Sequence, residues 1–277
     1  MDGVAHNGAG AIWLIAIAVL LCEKSHDVNT HRVKTHDGTQ TPDTTKQRTH
    51  TDGSHYDHLD PEAVKELGDS CLWVVPKGAG QFLRELGVTR VEELDWWQET
   101  VHKQSRGNDE QSYTITAVPV MHWSARSPKD TNATLWAAFH VKSNRPDGNG
   151  KSFIHLGDTG YSPTLYEAVG RVLGPVDLAA IPIGSYEPRW HMHLQHTDPE
   201  GAVRMALNLG AKKSVGVHWG TWIMSDESCE YSSINGADGT DNLPPIDLAK
   251  ARQKHNVREE DFCVLPVGKT MVVEDEK

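Results

Sequence analysis

Apolar residues occur in short runs along this chain, and in its second half these runs alternate between strand-like and helix-like spacing. Eight runs have the length and the β-branched or aromatic content of strands: residues 71–75, 91–97, 113–120, 135–141, 152–156, 177–183, 213–218 and 262–266. Five segments have helical signals: residues 61–67, 78–86, 165–173, 199–209 and 246–255. Residues 143–151 contain Pro146, Gly148 and Gly150 and predict a hairpin-like turn. The alternation predicts an α/β fold whose sheet is buried under helices.

The first 53 residues have a different pattern. Residues 11–22 are continuously apolar, but these twelve residues are too few for a membrane span, which takes about 20. A signal-peptide core, a buried strand and an interfacial anchor all remain open for this stretch. Residues 23–53 contain almost no apolar side chain, which is typical of a disordered linker. The predicted organisation is therefore an apolar segment plus linker over 1–53 and a folded domain over 54–277.

Charge and cysteine usage narrow the class of protein. The formal net charge of −11 argues against nucleic-acid binding, which depends on a basic face. Four cysteines lie far apart and form no CxxC pair, so neither a disulfide framework nor a zinc finger is indicated. A reducing compartment, and therefore an intracellular protein, is expected.

A short stretch before the first helix is rich in metal-ligand side chains. His55, Asp57 and His58 lie within four residues, directly before Asp60 and Pro61, which are typical of a helix start. Imidazole and carboxylate groups suit zinc or a similar divalent ion. A solvated polar turn is the alternative interpretation, so further ligands have to come from elsewhere in the chain.

Three predicted strands end in such side chains. His122 follows the strand over 113–120, Asp158 follows the strand over 152–156, and His218 ends the strand over 213–218. Ligands of α/β proteins bind at the ends of strands, so these side chains are expected to converge. Each also has a structural alternative, as a hydrogen-bonding histidine or as a turn residue.

The segment over residues 186–200 contains further reactive groups. His196 lies shortly before the predicted helix over 199–209, an environment that favours anions. Gln195 lies beside it. The alternative is that Glu187 and Arg189 pair with each other while Trp190 packs.

These features together resemble the metallo-β-lactamase superfamily. Five strings are more specifically similar to N-acylphosphatidylethanolamine-hydrolysing phospholipases D: LDWWQE (94–99), GDTGYSP (157–163), DLAAIPIGSYEPRW (177–190), QHTDPE (195–200) and VHWGTW (217–222). The resemblance covers about residues 54–270. It implies an αβ/βα sandwich with two zinc ions that activate a water and hydrolyse a phosphodiester, giving an N-acylethanolamine and phosphatidic acid.

The resemblance also assigns roles by position. One zinc ion would be bound by His55 and His122, the other by Asp57, His58 and His218, with Asp158 bridging both. Asp57 would also orient the attacking water. His196 corresponds to a catalytic histidine near the phosphate, and Gln195 to a contact with the lipid headgroup.

Two departures from the family pattern affect the expected activity. Gly53 stands where the family has its first ligand histidine, so one zinc position is expected to lack a ligand and to be weakened. Residues 1–53 do not resemble the strands that precede the motif in the family, so the N-terminal half-sheet is expected to be incomplete. Both departures predict impaired activity.

The leading hypothesis is a zinc phospholipase D that acts on a phospholipid while peripherally attached to a membrane surface. One alternative is a hydrolase of the same fold that acts on a soluble phosphoester or lactone. Another is a catalytically inactive binding homologue. The oligomeric state, a homodimer included, stays open.

Overall fold

Two sheets form the centre of the structure, a computed structural model that describes residues 58–106, 109–220, 224–227, 244–266 and 269–273. The described residues form nine strands: β1 (Trp73–Pro76), β2 (Val91–Leu94), β3 (Glu99–Arg106), β4 (Asp109–Val118), β5 (Ala138–Ser143), β6 (Ser152–His155), β7 (Leu178–Pro182), β8 (Lys213–Val217) and β9 (Phe262–Cys263). Strands β1 and β2 pair in parallel. The other seven form one sheet in the order β3-β4-β5-β6-β7-β8-β9. It is antiparallel from β3 to β6 and parallel from β6 to β9.

Six helices flank the sheets in the described part of the chain: α1 (Pro61–Leu67), α2 (Gly80–Glu85), α3 (Pro163–Leu173), α4 (Arg189–Met192), α5 (Pro199–Asn208) and α6 (Pro244–His255). Three of them begin with a side-chain cap followed by a proline, as the sequence signals predict for α1. The carboxylate of Asp60 accepts hydrogen bonds from the amides of Glu62 and Ala63, and that of Asp198 from Gly201. These caps fix where the chain leaves the loops that carry the candidate site.

Strand β1 joins two layers because its alternate side chains point to opposite faces. Trp73 packs with Val64 of α1 and Leu83 of α2. Val74 packs in another core with Ile115 of the larger sheet. The two sheets therefore face each other, with α1 and α2 outside the smaller one.

The larger core lies on the opposite face of the seven-stranded sheet. Ile154 of β6 and Ile181 of β7 are fully buried there against Tyr166 of α3, Ala202 of α5 and Leu248 of α6. Burying an aliphatic side chain of this size stabilises a fold by about 1.5–3 kcal/mol. Helices, sheet, sheet and helices thus follow one another, and the predicted αβ/βα sandwich is confirmed.

The element boundaries differ from the predictions at several places. The strand predicted over 91–97 ends at Leu94, and Trp97 has a left-handed φ of 66°, which breaks extended backbone. Strand β3 was not predicted, because its residues are mostly polar and it forms through its antiparallel pairing with β4. Strand β5 begins at Ala138, three residues after the predicted start.

Residues 1–57 lie outside the described residues, so the division into 1–53 and 54–277 stays a prediction. The same holds for the expected incomplete half-sheet, of which β1 and β2 are the strands in the described part. Among the described residues, no helix is long and apolar enough to cross a membrane.

Candidate metal centre

The candidate site lies at the carboxyl ends of the parallel strands. Asp158 follows β6 by three residues, and His218 follows β8 directly. His122 comes four residues after β4, and His58 lies shortly before α1. Short connections from a rigid sheet place these side chains at one edge, as the sequence predicts.

Asp158 is the centre of this cluster. Its side chain is 6% exposed, and its Oδ2 lies 2.8 Å from His58 Nε2. Its Oδ1 lies 3.1 Å from His218 Nε2. The rings of His58 and His218 are stacked with centroids 5.3 Å apart. One carboxylate therefore brings together residues that are 100 positions apart in the sequence.

A second set shares the same carboxylate. His122, Asp158 and His196 have ligand atoms within 4.8 Å of one another, as do His58, Asp158 and His218. His122 Nδ1 lies 3.1 Å from the carbonyl oxygen of Gln195. Because a carbonyl only accepts, Nδ1 donates its hydrogen there, which leaves Nε2 of a neutral His122 with the lone pair that a metal requires.

Burial and charge perturb the titration of the cluster. Burial raises the pKa of Asp158, but the nearby charges of His218 and His58 and their hydrogen bonds outweigh it and hold that pKa well below its usual value. Burial lowers the pKa of His196 to about 4, and it lowers the pKa of His122 against the attraction of Asp158. At neutral pH the site thus combines an ionised Asp158 carboxylate with neutral imidazoles at His122 and His196, which is the form in which these groups bind metals.

Thr159 ties the segments of the site together. Its hydroxyl oxygen lies 2.7 Å from the Tyr166 hydroxyl and accepts a 2.9 Å hydrogen bond from the amide of Met121, beside His122. Its carbonyl accepts a 2.7 Å hydrogen bond from the amide of Thr197, beside His196. Thr159 is fully buried. It therefore fixes three ligand-bearing segments relative to one another.

Gly160 allows this close assembly. A Cβ atom at this position would collide with the carbonyl of Leu194 and lie 2.9 Å from that of His193. The backbone of the segment before His196 thus approaches the turn after Asp158 as closely as only glycine allows.

Arg189 holds the other side of the same segment. Its guanidinium donates a 2.9 Å hydrogen bond to the His196 carbonyl and lies 3.3 Å from the Asp198 carboxylate. The alternative in which Arg189 pairs with Glu187 takes another form, in which the Arg189 backbone amide donates to the Glu187 carboxylate at 2.9 Å. Trp190 is 79% exposed, so the alternative in which it packs is wrong.

Glu227 was missed by sequence reasoning. Its buried carboxylate accepts hydrogen bonds from the consecutive amides of Ser185, Tyr186 and Glu187, the last at 3.0 Å. It thereby fixes the loop that leads from β7 to α4 and on to His196. No motif marks it, because a lone glutamate in a polar segment carries no pattern.

The residues fit a divalent metal ion. Ligand atoms bound at about 2.1 Å to one ion stand at most about 4.2 Å apart, so small side-chain movements close either set from its present spacing. His196 Nδ1 is shielded from solvent and has no hydrogen-bond partner among the described residues. Imidazole nitrogens and a carboxylate oxygen are the donors that zinc and related transition metals accept.

The structure brings together six of the predicted site residues: His58, His122, Asp158, Gln195, His196 and His218. Their metal-binding, catalytic and headgroup roles stay predictions. His55, Asp57 and Gly53 lie outside the described residues. His155, at the end of β6, was missed although it stands three residues before Asp158. It is buried, and its Nδ1 accepts a 3.0 Å hydrogen bond from the Gly157 amide.

Comparison with known proteins supports the resemblance. The chain is 41% identical over 177 residues to the mitochondrial N-acyl-phosphatidylethanolamine-hydrolyzing phospholipase D of Saccharomyces cerevisiae, covering 63% of this chain and 36% of that protein. It is 36% identical over 178 residues to N-acyl-phosphatidylethanolamine-hydrolyzing phospholipase D 1 of Caenorhabditis elegans, covering 61% and 48%. The chain thus spans between a third and a half of the length of these curated relatives.

A solved structure and a family model agree with the observed fold. The metallo hydrolase Igni18 of Ignicoccus hospitalis matches with a TM-score of 0.51 at 15% identity, covering 82% of this chain and 78% of that one, which shows the fold alone. The family model described as the beta-lactamase superfamily domain matches residues 49–219. On this match, the chain belongs to the beta-lactamase superfamily, and the resemblance to the phospholipases D within it is confirmed.

Proposed function

We propose that this protein is a metal-dependent hydrolase that cleaves the phosphodiester bond of N-acylphosphatidylethanolamine and releases an N-acylethanolamine and phosphatidic acid. The observation that carries the proposal is the convergence of four imidazoles on the single buried carboxylate of Asp158. The two phospholipase D relatives supply the reaction class.

His58, Asp158 and His218 would hold one ion, for which zinc is the default. Asp158 would also face a second position with His122, to which the resemblance adds His55 outside the described residues. Such ions would lower the pKa of a bound water to near neutral, and they would neutralise charge on the phosphate oxygens. The chain itself positions the ligands. The Gln195 carbonyl fixes the tautomer of His122, and the Asp158 carboxylate lies 2.8 and 3.1 Å from the Nε2 atoms of His58 and His218, so that an ion between them would be shared by all three residues.

A phospholipid substrate requires the enzyme to act at a membrane surface. The yeast relative is named as mitochondrial, which supports an intracellular location for this chain as well. We therefore place the protein at an intracellular membrane, peripherally attached, with the phospholipid as its partner.

The test offers purified, zinc-loaded protein two substrates: vesicles containing N-acylphosphatidylethanolamine, and the soluble diester bis(p-nitrophenyl) phosphate. We expect mass spectrometry to detect N-acylethanolamine and phosphatidic acid from the vesicles. Asp158→Asn and wild-type protein in excess chelator serve as controls and should release neither product.

Two outcomes would contradict the proposal. Hydrolysis of the soluble diester alone would favour the related hydrolase of soluble esters. Zinc-loaded, folded protein that binds the vesicles without any product would favour an inactive binding homologue, as the Gly53 departure suggests.

A further inference from the structure

His196 lies close enough to two predicted metal ligands, His122 and Asp158, to share an ion with them. The resemblance places His196 beside the phosphate and leaves one metal position short of a ligand at Gly53. We infer that His196 is itself a metal ligand, forming with His122 and Asp158 a position that needs no residue before 58. This inference rests on the proposed metal dependence and not on the lipid substrate.

The geometry of the three side chains is that of a common ligand set. Their ligand atoms lie within 4.8 Å of one another. The rings of His122 and His196 have centroids 5.3 Å apart at an interplanar angle of 82°, so they approach edge to face instead of stacking. With one ligand atom from each residue inside this spacing, a single ion would be within reach of both imidazoles and of Asp158.

The Nδ1 atom of His196 supports the same role. It is buried and has no hydrogen-bond partner among the described residues. A buried polar nitrogen without a partner is unfavourable, so native proteins rarely keep one unless a ligand satisfies it. A cation shared with Asp158 would supply that partner.

The backbone holds the three ligands as one unit. The carbonyl of Gln195, directly before His196, accepts the hydrogen of His122 Nδ1. The amide of Thr197, directly after His196, donates to the carbonyl of Thr159, which is adjacent to Asp158. His196 is thus tied on both sides to its two partners in the proposed position.

The experiment measures zinc in chelator-stripped protein after titration with Zn²⁺ alone, by mass spectrometry and by calorimetry. The variants are His196→Ala, His196→Asn and His196→Asp. Asn keeps a hydrogen-bonding group near the Nδ1 position but is a poor zinc ligand, whereas Asp keeps a ligand oxygen. The matched control is His193→Ala, which removes an exposed histidine three residues earlier.

We expect His196→Ala and His196→Asn to lose one of two zinc equivalents, or to bind it more than about 100-fold more weakly, beyond the 10–100-fold loss typical of an outer hydrogen bond. His196→Asp should retain most of the binding, and His193→Ala all of it. At Zn²⁺ concentrations that refill both positions, X-ray absorption at the zinc edge should show fewer imidazole neighbours per zinc in His196→Asn than in the wild-type protein.

Unchanged zinc content and affinity in all three His196 variants would overturn the inference and leave the proposed function standing. Equal losses in Asn and Asp variants would also overturn it, because a ligand oxygen would then bring no rescue. A wild-type protein that binds no zinc would overturn the proposed function, and this inference with it.

Discussion

The two edges of the parallel half-sheet carry charged side chains in contrasting ways. At the carboxyl ends of β6 and β8, the Asp158 side chain is 6% exposed and His218 9%. At the amino ends, Lys212 pairs with Asp177 and Arg258 with Asp261 at 2.9 and 2.6 Å. The two cations there are 50% and 68% exposed, and the carboxylates of Asp177 and Asp261 are 12% and 25% exposed.

This contrast separates stability from function. Exposed ion pairs contribute only about 0–1 kcal/mol each, since water solvates their charges well. Burying ionisable groups is unfavourable unless they are paired, and such clusters concentrate at functional sites. The carboxyl edge therefore buries several imidazoles around one carboxylate, as expected of a functional site, whereas each carboxylate of the amino edge is paired with a solvated lysine or arginine.

We expect the largest difference between the two edges when one carboxylate of each is replaced by an amide. Asp158→Asn loses the charge shared by both ligand sets, so we expect a loss of zinc affinity and turnover well beyond the about 10–100-fold effect of an outer residue. Asp177→Asn weakens contacts with Ser152, Lys151 and Lys212, none of which belongs to the metal centre, so unfolding free energy should fall by about 1–3 kcal/mol with unchanged zinc affinity. Calorimetric zinc titration and urea unfolding of both variants make the comparison. Equal zinc affinities in the Asp158→Asn and Asp177→Asn variants would contradict the proposed difference between the two edges.

Acid should destabilise the carboxyl edge when the protein is held in excess chelator. Burial lowers the pKa values of His155 and His196 to about 4, from 6.5 in the unfolded chain. Between these values the unfolded chain binds more protons, so stability is full above about pH 6.5 and falls as the pH drops toward 4, by roughly 3 kcal/mol per histidine. The Asp158 carboxylate contributes to stability down to a lower pH. Its pKa lies well below 3.8, so this contribution is lost only as the pH falls below that value.

Urea unfolding across this pH range measures the effect. His155→Gln should reduce the slope, whereas His193→Gln, at an exposed position, should leave it unchanged. A stability that is flat between pH 6.5 and 4 would show that these imidazoles are not held neutral by burial.

A positioning residue should have an intermediate effect. Thr159→Val deprives the Met121 amide and the Tyr166 hydroxyl of a buried partner, so we expect zinc affinity to fall about 10–100-fold. Thr159→Ser keeps the hydroxyl and should restore binding. The control is Thr116→Val on β4, which removes another buried threonine hydroxyl, one that donates to the Glu99 carboxylate of β3. If Thr116→Val weakens zinc binding equally, the effect reports stability and not positioning.

The site could be predicted from sequence to the extent that it follows strand ends. His122, Asp158 and His218 stand just after apolar runs, and the carboxyl ends of β6 and β8 meet at one edge, so their convergence was predictable. The proximity of His196 to His122 was not, because it comes from a loop fixed by hydrogen bonds to Thr159 and Arg189. Loop geometry of this kind leaves no periodic signal.

In the fold, too, the elements with local sequence signals could be predicted and those formed by long-range pairing could not. The cap at Asp60 and the helix Pro61–Leu67 were predicted to the residue, because the signals are local. Strand β3 was missed, since its polar residues become a strand only by pairing with β4. Long-range pairing overrides local propensity there, and no local pattern reveals it.

We expect the smallest change in unfolding free energy from a substitution in an ion pair at the amino edge. Lys213→Ala removes a 2.9 Å pair with Asp261, but Lys213 is a third exposed and Arg258 also contacts that carboxylate. The change in unfolding free energy should therefore stay below about 1 kcal/mol, and zinc affinity should not change. A double-mutant cycle with Asp261→Asn isolates the pair. A coupling above about 2 kcal/mol would mean that this edge is desolvated after all, and burial would then no longer distinguish the two edges.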